Sequence, residues 1–419
     1  MRLIPAGLRA AGVLSILAVA AACSETLDAS AGCPDLCAGQ NGLIQTTTID
    51  PVVLDTTLSS VTGQGTEVTL FVANRGDTVD SRAVIRFDSI PDRYAPVVTD
   101  TATLPITTVD SARLLFRIDT AGAKLPGPVT IDAYDVNTDA PDSLTSAVAA
   151  LFTPDRLIAS KTYDVSELKD SVFLPIPGAV IISHGAQRLR IGLRARAAGS
   201  VQFRIFSVES GLPEQLYFRV SADTSIKAVV LAPYSKTPEA QTQIALSLSD
   251  YTVLVNGPPE APVSTLTVGG LPARRVYMQF NVPAFISDTA QIVRATLLMT
   301  QRPNRSVDAG DTIRLVALIS LAAKIVSDLT RASQITALGS GDTLKVSPGD
   351  SGVKEVEIAS VISLWRSQNA DQTPRAIVLI STTEGQAALE ARFFSIEAAP
   401  ELRPRLRISY STRKSRGLP

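Results

Sequence analysis

From about Asp50 onward, apolar and polar residues alternate with a period of two rather than 3.6. Glu67 to Val72 (EVTLFV), Arg82 to Phe87 (RAVIRF), Ala112 to Ile118 (ARLLFRI) and Val201 to Phe206 (VQFRIF) each place apolar side chains on one face of an extended strand. Gly, Pro, Asp and Asn separate these runs. With 26 Pro, 25 Gly and almost no long amphipathic stretch, the pattern predicts an all-β chain of antiparallel, jelly-roll-like sandwiches.

The same strands recur in order, which the pattern of a single sandwich would not require. Arg82 to Pro91 aligns with Arg275 to Pro283, and Ser111 to Phe116 with Arg294 to Met299. Arg188 to Leu193 aligns with Arg375 to Ile380, Phe206 to Glu209 with Phe394 to Glu397, and Tyr217 to Ser221 with Arg405 to Ser409. Five blocks in one order divide the chain into two copies of one sandwich, 49–234 and 249–412. A linker at 235–248 joins them and a short basic tail, 413–419, follows. Each copy reads as a self-contained domain that an exposed linker would let proteolysis separate.

The first 22 residues belong to targeting rather than to the fold. Arg2 and Arg9 precede the mainly apolar run Ala10 to Ala22, which is shorter than the ~20 residues needed to span a bilayer. Val19 to Cys23 (VAAAC) resembles the lipobox of bacterial lipoproteins, with Ala20 where Leu is more usual. The resemblance implies lipidation of Cys23, and Ser24 in place of Asp implies export to the bacterial outer membrane, facing the periplasm or the cell surface. Residues 24–48, rich in Ser, Ala, Gly and Asp, read as a flexible tether. Cys33 and Cys37 within it form a candidate disulfide loop, with free thiols as the alternative.

Composition removes several classes. Lys and Arg number 39 against 40 Asp and Glu, so no basic footprint points to nucleic acid. One His and three Cys leave no His/Cys metal cluster. No P-loop or dinucleotide glycine pattern stands between a strand and a helix.

The second copy resembles the DNRLRE domain, a bacterial β-sandwich module of secreted and surface proteins associated with carbohydrate-binding modules. The resemblance rests on Arg275, Tyr277, Phe280 and Pro283, on Ala295-Thr-Leu-Leu-Met299, on Val361 and Trp365, on Ser395 and Glu397, and on Arg403-Pro-Arg-Leu-Arg-Ile-Ser-Tyr410. The first copy departs from it: there is no Trp, and Pro175 to Gly178 stands near the place of the Val361 to Trp365 segment. The resemblance implies a sandwich that displays a binding surface.

The candidate chemistry is thin. Trp365 reads first as an apolar cap on one end of the sandwich and second as a sugar platform. Glu397 reads as a carboxylate satisfied by backbone N–H groups or an Arg, with no second carboxylate in its motif. Asp135, Asn137 and Asp139 place oxygens at alternate positions, as calcium loops begin, but lack the Gly and Glu that complete an EF-hand; a polar loop is the first reading and calcium the second. Gly349-Asp350-Ser351-Gly352 copies a serine-protease nucleophile motif, yet His184 lies in the other copy. Two copies use nearly all of the chain after Cys23, which leaves no room for a catalytic domain. The expected function is therefore a non-catalytic, lipid-anchored scaffold, adhesion or binding module whose partner is an envelope protein or a polysaccharide. Polysaccharide capture is the alternative, and a hydrolase accessory protein ranks below it.

Overall fold

The computed structural model describes residues 44–59, 65, 67–96, 102–142, 144–236, 249–305, 310–320, 339–365 and 375–412. The leader, Cys23, Cys33, Cys37, most of the linker and the basic tail lie outside the described residues. The strands up to the linker are β1 (Gln45–Ile49), β2 (Val52–Ser59), β3 (Thr69–Asn74), β4 (Asp80–Phe87), β5 (Arg93–Tyr94), β6 (Leu104–Pro105), β7 (Ser111–Lys124), β8 (Val129–Asp135), β9 (Leu157–Tyr163), β10 (Ser171–Pro175), β11 (Leu189–Arg196), β12 (Val201–Phe206), β13 (Gln215–Arg219) and β14 (Val229–Leu231). Those after it are β15 (Asp250–Asn256), β16 (Thr265–Gly269), β17 (Arg274–Phe280), β18 (Ala290–Arg302), β19 (Ile313–Ser320), β20 (Gly339–Val346), β21 (Gly352–Glu357), β22 (Ala376–Ser381), β23 (Glu390–Phe394) and β24 (Arg405–Thr412).

The predicted all-β, antiparallel architecture is what the chain adopts. One 11-stranded sheet runs β14-β13-β7-β12-β3-β4-β11-β8-β9, with β10 added on β7 and β15 on β4. The other runs β1-β24-β18-β23-β16-β17-β22-β19-β20, with β21 added on β18 and β2 on β17. The two orders are the same position by position, so the internal repeat is also a repeat of topology. In each sandwich a long strand serves both layers. β7 pairs with β10 and β13 over its first half and with β12 over its second, and β18 pairs with β24 from Ala290 to Leu298, with β21 from Thr296 to Gln301 and with β23 at Gln301 and Arg302. Alternating residues of these strands fill two separate cores, one around Phe87, Phe116, Phe203 and Phe218, the other around Met278, Met299, Trp365 and Phe393.

The leading strands do not follow the boundaries read from the sequence. β1 takes up the last residues of the stretch read as a flexible tether, which is strand from Gln45 on, and β2 opens the first repeat, yet they pair with β24 and β17 of the second. β15 opens the second repeat, yet it pairs with β4 of the first. Cuts at 49 and 249 therefore leave most of β1 in the tether and assign β2 and β15 to the sandwich they do not complete. The physical reason lies in the hairpins. β3 and β4 pair only at Ala73 with Ser81 and at Asn74 with Asp80 before they diverge, and β16 and β17 pair only at Gly269 with Arg274. Each opening admits a strand, and the strand that enters comes from the other repeat. Thr252 Oγ1 of β15 accepts the Phe71 N–H at 3.1 Å, and Thr57 Oγ1 of β2 accepts the Thr267 N–H at 2.9 Å. These residues are equivalent in the two repeats.

Strand register also corrects two of the five aligned blocks. Ile191 stands opposite Ile85 and Ile377 opposite Met278, so Ile191 corresponds to Ile377, one residue off the alignment of Arg188 with Arg375. That single step exchanges the two faces of the strand. Leu216 stands opposite Leu114 and Leu406 opposite Leu297, which moves the last block by two residues. The turn before β24 is longer by that amount.

Candidate functional site

The sequence candidates are dispersed. Trp365 lies on a helix, α1 (Ala359–Trp365), is fully buried, and meets the Phe280 ring at 5.3 Å with a 42° tilt. It is the apolar cap and offers no face to a sugar. Asp135 Oδ1 accepts the Asn137 N–H at 3.0 Å and its Oδ2 lies 3.2 Å from His184 Nε2. Asn137 Oδ1 accepts from Arg188 Nε at 3.1 Å, while the Asp139 side chain points into solvent, 3.9 Å from Arg188 Nη2. The loop's oxygens thus face His184 and Arg188 rather than one another, an arrangement in keeping with the polar-loop reading. The neighbouring carboxylate holds the His184 imidazole above its ordinary value. Ser351 is exposed after a turn closed by Asp350 N–H to Ser347 O at 3.0 Å, in a different sandwich from His184.

Sequence reasoning missed a paired-carboxylate feature, because the second partner comes from the exchanged strand. Asp55 of β2 and Asp250 of β15 occupy equivalent register positions, opposite Met278 and Ile85. Asp55 Oδ2 accepts the Ile396 N–H at 2.9 Å, and Asp250 Oδ2 accepts the Val208 N–H at 2.8 Å. Each ties an exchanged strand to a Ser-x-Glu turn, Ser395 to Glu397 or Ser207 to Glu209. The signal was present as Asp-x-Thr at 55–57 and 250–252. Burial pushes the Asp55 carboxyl up to about 6, against the Ile396 N–H that lowers it, and the nearby Glu397 adds to the rise. In the first sandwich Glu214 joins the pair. Among the described residues no N–H or hydroxyl donates to either Glu214 oxygen or to Asp250 Oδ1, and both residues are almost completely buried. Two bare carboxylates buried there would also repel, which adds to the effect of burial. Burial raises both groups, Glu214 well above the usual carboxylate range.

These carboxyls bind protons more tightly folded than unfolded. For Asp55 and Asp250 that stabilisation is complete below the unfolded value of 3.8 and is lost as pH rises through about 6, and Glu214 shifts in the same direction. Asp55→Asn and Glu214→Gln should therefore match the parent near pH 4. At pH 8 they should melt above it, by about 2–4 °C for each ~1 kcal/mol recovered. Parallel melting curves for variant and parent across that range would refute the raised carboxyls.

A second buried network holds the same strand. Tyr251 of β15 donates its hydroxyl to Asp142 Oδ1 at 2.5 Å. Fully buried Asp142 also bonds Arg86 and lies 3.1 Å from Arg190 Nε. Such charges are tolerated in a core only when paired.

A cavity open to solvent lies at the seam of the two sandwiches. It measures about 190 Å³ and is lined by Phe71, Gln202 and Arg204 of the first sandwich and by Asp311, Thr383 and Gln386 of the second. Lys124 crosses the seam to Asp311 at 2.9 Å, and Thr69 Oγ1 donates to Gln386 Oε1 at 3.4 Å. Gln202 Nε2 donates to Gly122 O at 3.2 Å, and Arg204 Nη2 meets Asp119 at 2.6 Å. The repeat supplies its own comparison. The residue equivalent to Gln202 is Glu390, whose carboxylate is consumed by Arg274, by Arg392 at 2.6 Å and by Asn304 at 2.9 Å. One seam position is closed by its own ion pairs; the other presents amides, a hydroxyl and an apolar wall to a cavity.

No family model matches the chain, and no curated protein matches it. Among solved structures it is similar to a peptide-N(4)-(N-acetyl-β-D-glucosaminyl) asparagine amidase at 9% identity, covering 85% of this chain and 96% of that one with a TM-score of 0.18. It is also similar to the CBM22-1–CBM22-2 tandem domain of Xyn10C from Paenibacillus barcinonensis at 7% identity, covering 87% and 98% with a TM-score of 0.15. At these scores neither likeness transfers an activity or a ligand.

Proposed function

We propose that the chain is a non-catalytic binding protein of the bacterial envelope, held at the outer membrane through lipid on Cys23 and presenting its paired sandwiches as a scaffold or adhesion module. The seam cavity carries this reading. Binding sites favour interfaces between domains, and this one combines a few polar groups with an apolar wall. Its volume is below the roughly 300–1,000 Å³ of drug-sized sites, which suits one sugar-sized polar molecule. That favours the second reading, polysaccharide capture through a single residue of the polymer. Support for a non-catalytic role comes from the separation of His184 and Ser351 and from the burial of the Glu214 and Asp250 carboxyls, which no substrate reaches.

A glycan array probed with the purified chain tests both. Binding to a defined glycan should fall about tenfold or more in Gln202→Ala and Asp311→Ala with unchanged melting temperature. A chain that binds nothing on the array but retains one envelope protein in a pull-down supports the scaffold alone, and turnover of a bound glycan would overturn both. In cells, Cys23→Ser should move the protein from the membrane to the soluble fraction, whereas unchanged retention would refute the anchor.

A further inference from the structure

The two sandwiches carry the same face made of different residues. On the second, β21, β18 and β24 present Glu355, Glu357, Thr296 and Arg407. Arg407 Nη2 pairs with Glu355 at 2.6 Å and Arg294 Nε with Glu357 at 3.1 Å, so that face neutralises itself. On the first, register puts Phe173 where Glu355 stands, Pro175 for Glu357, Arg113 for Thr296 and Tyr217 for Arg407. Residues 171–175, 111–117 and 215–219 hold three Arg and neither Asp nor Glu. Arg113 is exposed and stacked between two rings, 4.5 Å from the Phe173 centroid and 4.6 Å from that of Tyr217. Neither Arg113 nor Arg117 has an ion pair among the described residues. Phe173 is 40% exposed, and Val230, opposite Tyr217 on β14, is 51% exposed.

We infer that the outer face of β10, β7 and β13 is a docking surface for an acidic segment of a protein partner. The inference rests on the reading of the chain as a binding module and adds a site apart from the seam cavity. Unneutralised guanidinium groups call for carboxylates, and the exposed Phe173 and Val230 call for apolar side chains beside them. Arg, Tyr and Phe are the residues enriched in protein interfaces and their hot spots. Phe173 and Tyr217 each turn a ring face to Arg113 rather than lying flat to solvent, which suits a protein contact better than a pyranose ring.

The test is fluorescence anisotropy of the full chain with a labelled random copolymer of glutamate and tyrosine, with polygalacturonate as the acidic glycan. The copolymer should bind, more weakly as salt rises. Affinity should drop about tenfold or more in Arg113→Gln and in Phe173→Glu, the latter importing the second sandwich's own neutralising carboxylate. Arg407→Gln, on the other sandwich, should leave it unchanged. Melting curves check folding, and Tyr217→Ala replaces any variant that melts early. No copolymer binding, or binding indifferent to these variants, overturns the inference. Polygalacturonate binding with the same residue dependence would make the face a glycan site and also overturn it. A glycan-array signal dependent on Gln202 and Asp311 would leave the binding-module reading standing in either case.

Discussion

A chain cut between Lys236 and Ser249 should run on size exclusion at the position of the intact protein, its two pieces separating only in denaturant. The reciprocal strands account for this. The N-terminal piece contributes β2 to the second sandwich through seven paired residues of β17, burying Leu58. The C-terminal piece contributes β15 to the first, burying Tyr251 and Val253 completely. Each fully buried apolar side chain is worth about 1.5–3 kcal/mol, and the buried hydrogen bonds of Thr57, Thr252, Asp55 and Asp250 add to that. Either half made alone lacks the strand that fills its opened hairpin, and its exposed edges should drive it to aggregate. Co-expression should restore one soluble complex. Two independently folded, monomeric fragments would refute the exchange.

Trp365→Ala should cost about 3–5 kcal/mol, enough to lower melting by about 10 °C. The indole is fully buried among Phe280, Ile286, Val361 and Ile362, so its removal leaves a large cavity at one end of the second core. Trp365→Phe, which retains a ring, should recover more than half of the loss. An unchanged melting temperature in Trp365→Ala would mean that the ring does not cap that core.

Strand positions and the repeat were legible because each rests on local alternation, and the burial of Leu216 and Phe218 between half-buried Gln215, Tyr217 and Arg219 follows that alternation directly. Pairing partners were not. A period of two says that 52–59 and 250–256 are strands but carries nothing about which hairpin opens to receive them. The alignment of Arg188 with Arg375 matched chemistry rather than register, and only the Ile191–Ile85 and Ile377–Met278 pairs reveal the slip. Of the candidate residues, buried Trp365 could be anticipated from its apolar neighbours. The partners of the Asp55 and Asp250 carboxyls could not, although Asp-x-Thr recurs at both places, since they lie 341 and 42 residues away. The seam cavity needs both sandwiches in place, and no local motif encodes it.

Antiparallel pairing of β1 with β24 sets Gln45 beside Tyr410, so the chain enters and leaves the folded body at neighbouring points. A pull delivered through residue 44 therefore acts first on the second sandwich, across the β1–β24 ladder and then on β2 within its hairpin. It reaches β3 only after both strands have been stripped out. The first sandwich, with its arginine-rich face, is mechanically downstream of the second. A single-molecule experiment that pulls from residue 44 should see the second sandwich open while the first keeps its shape.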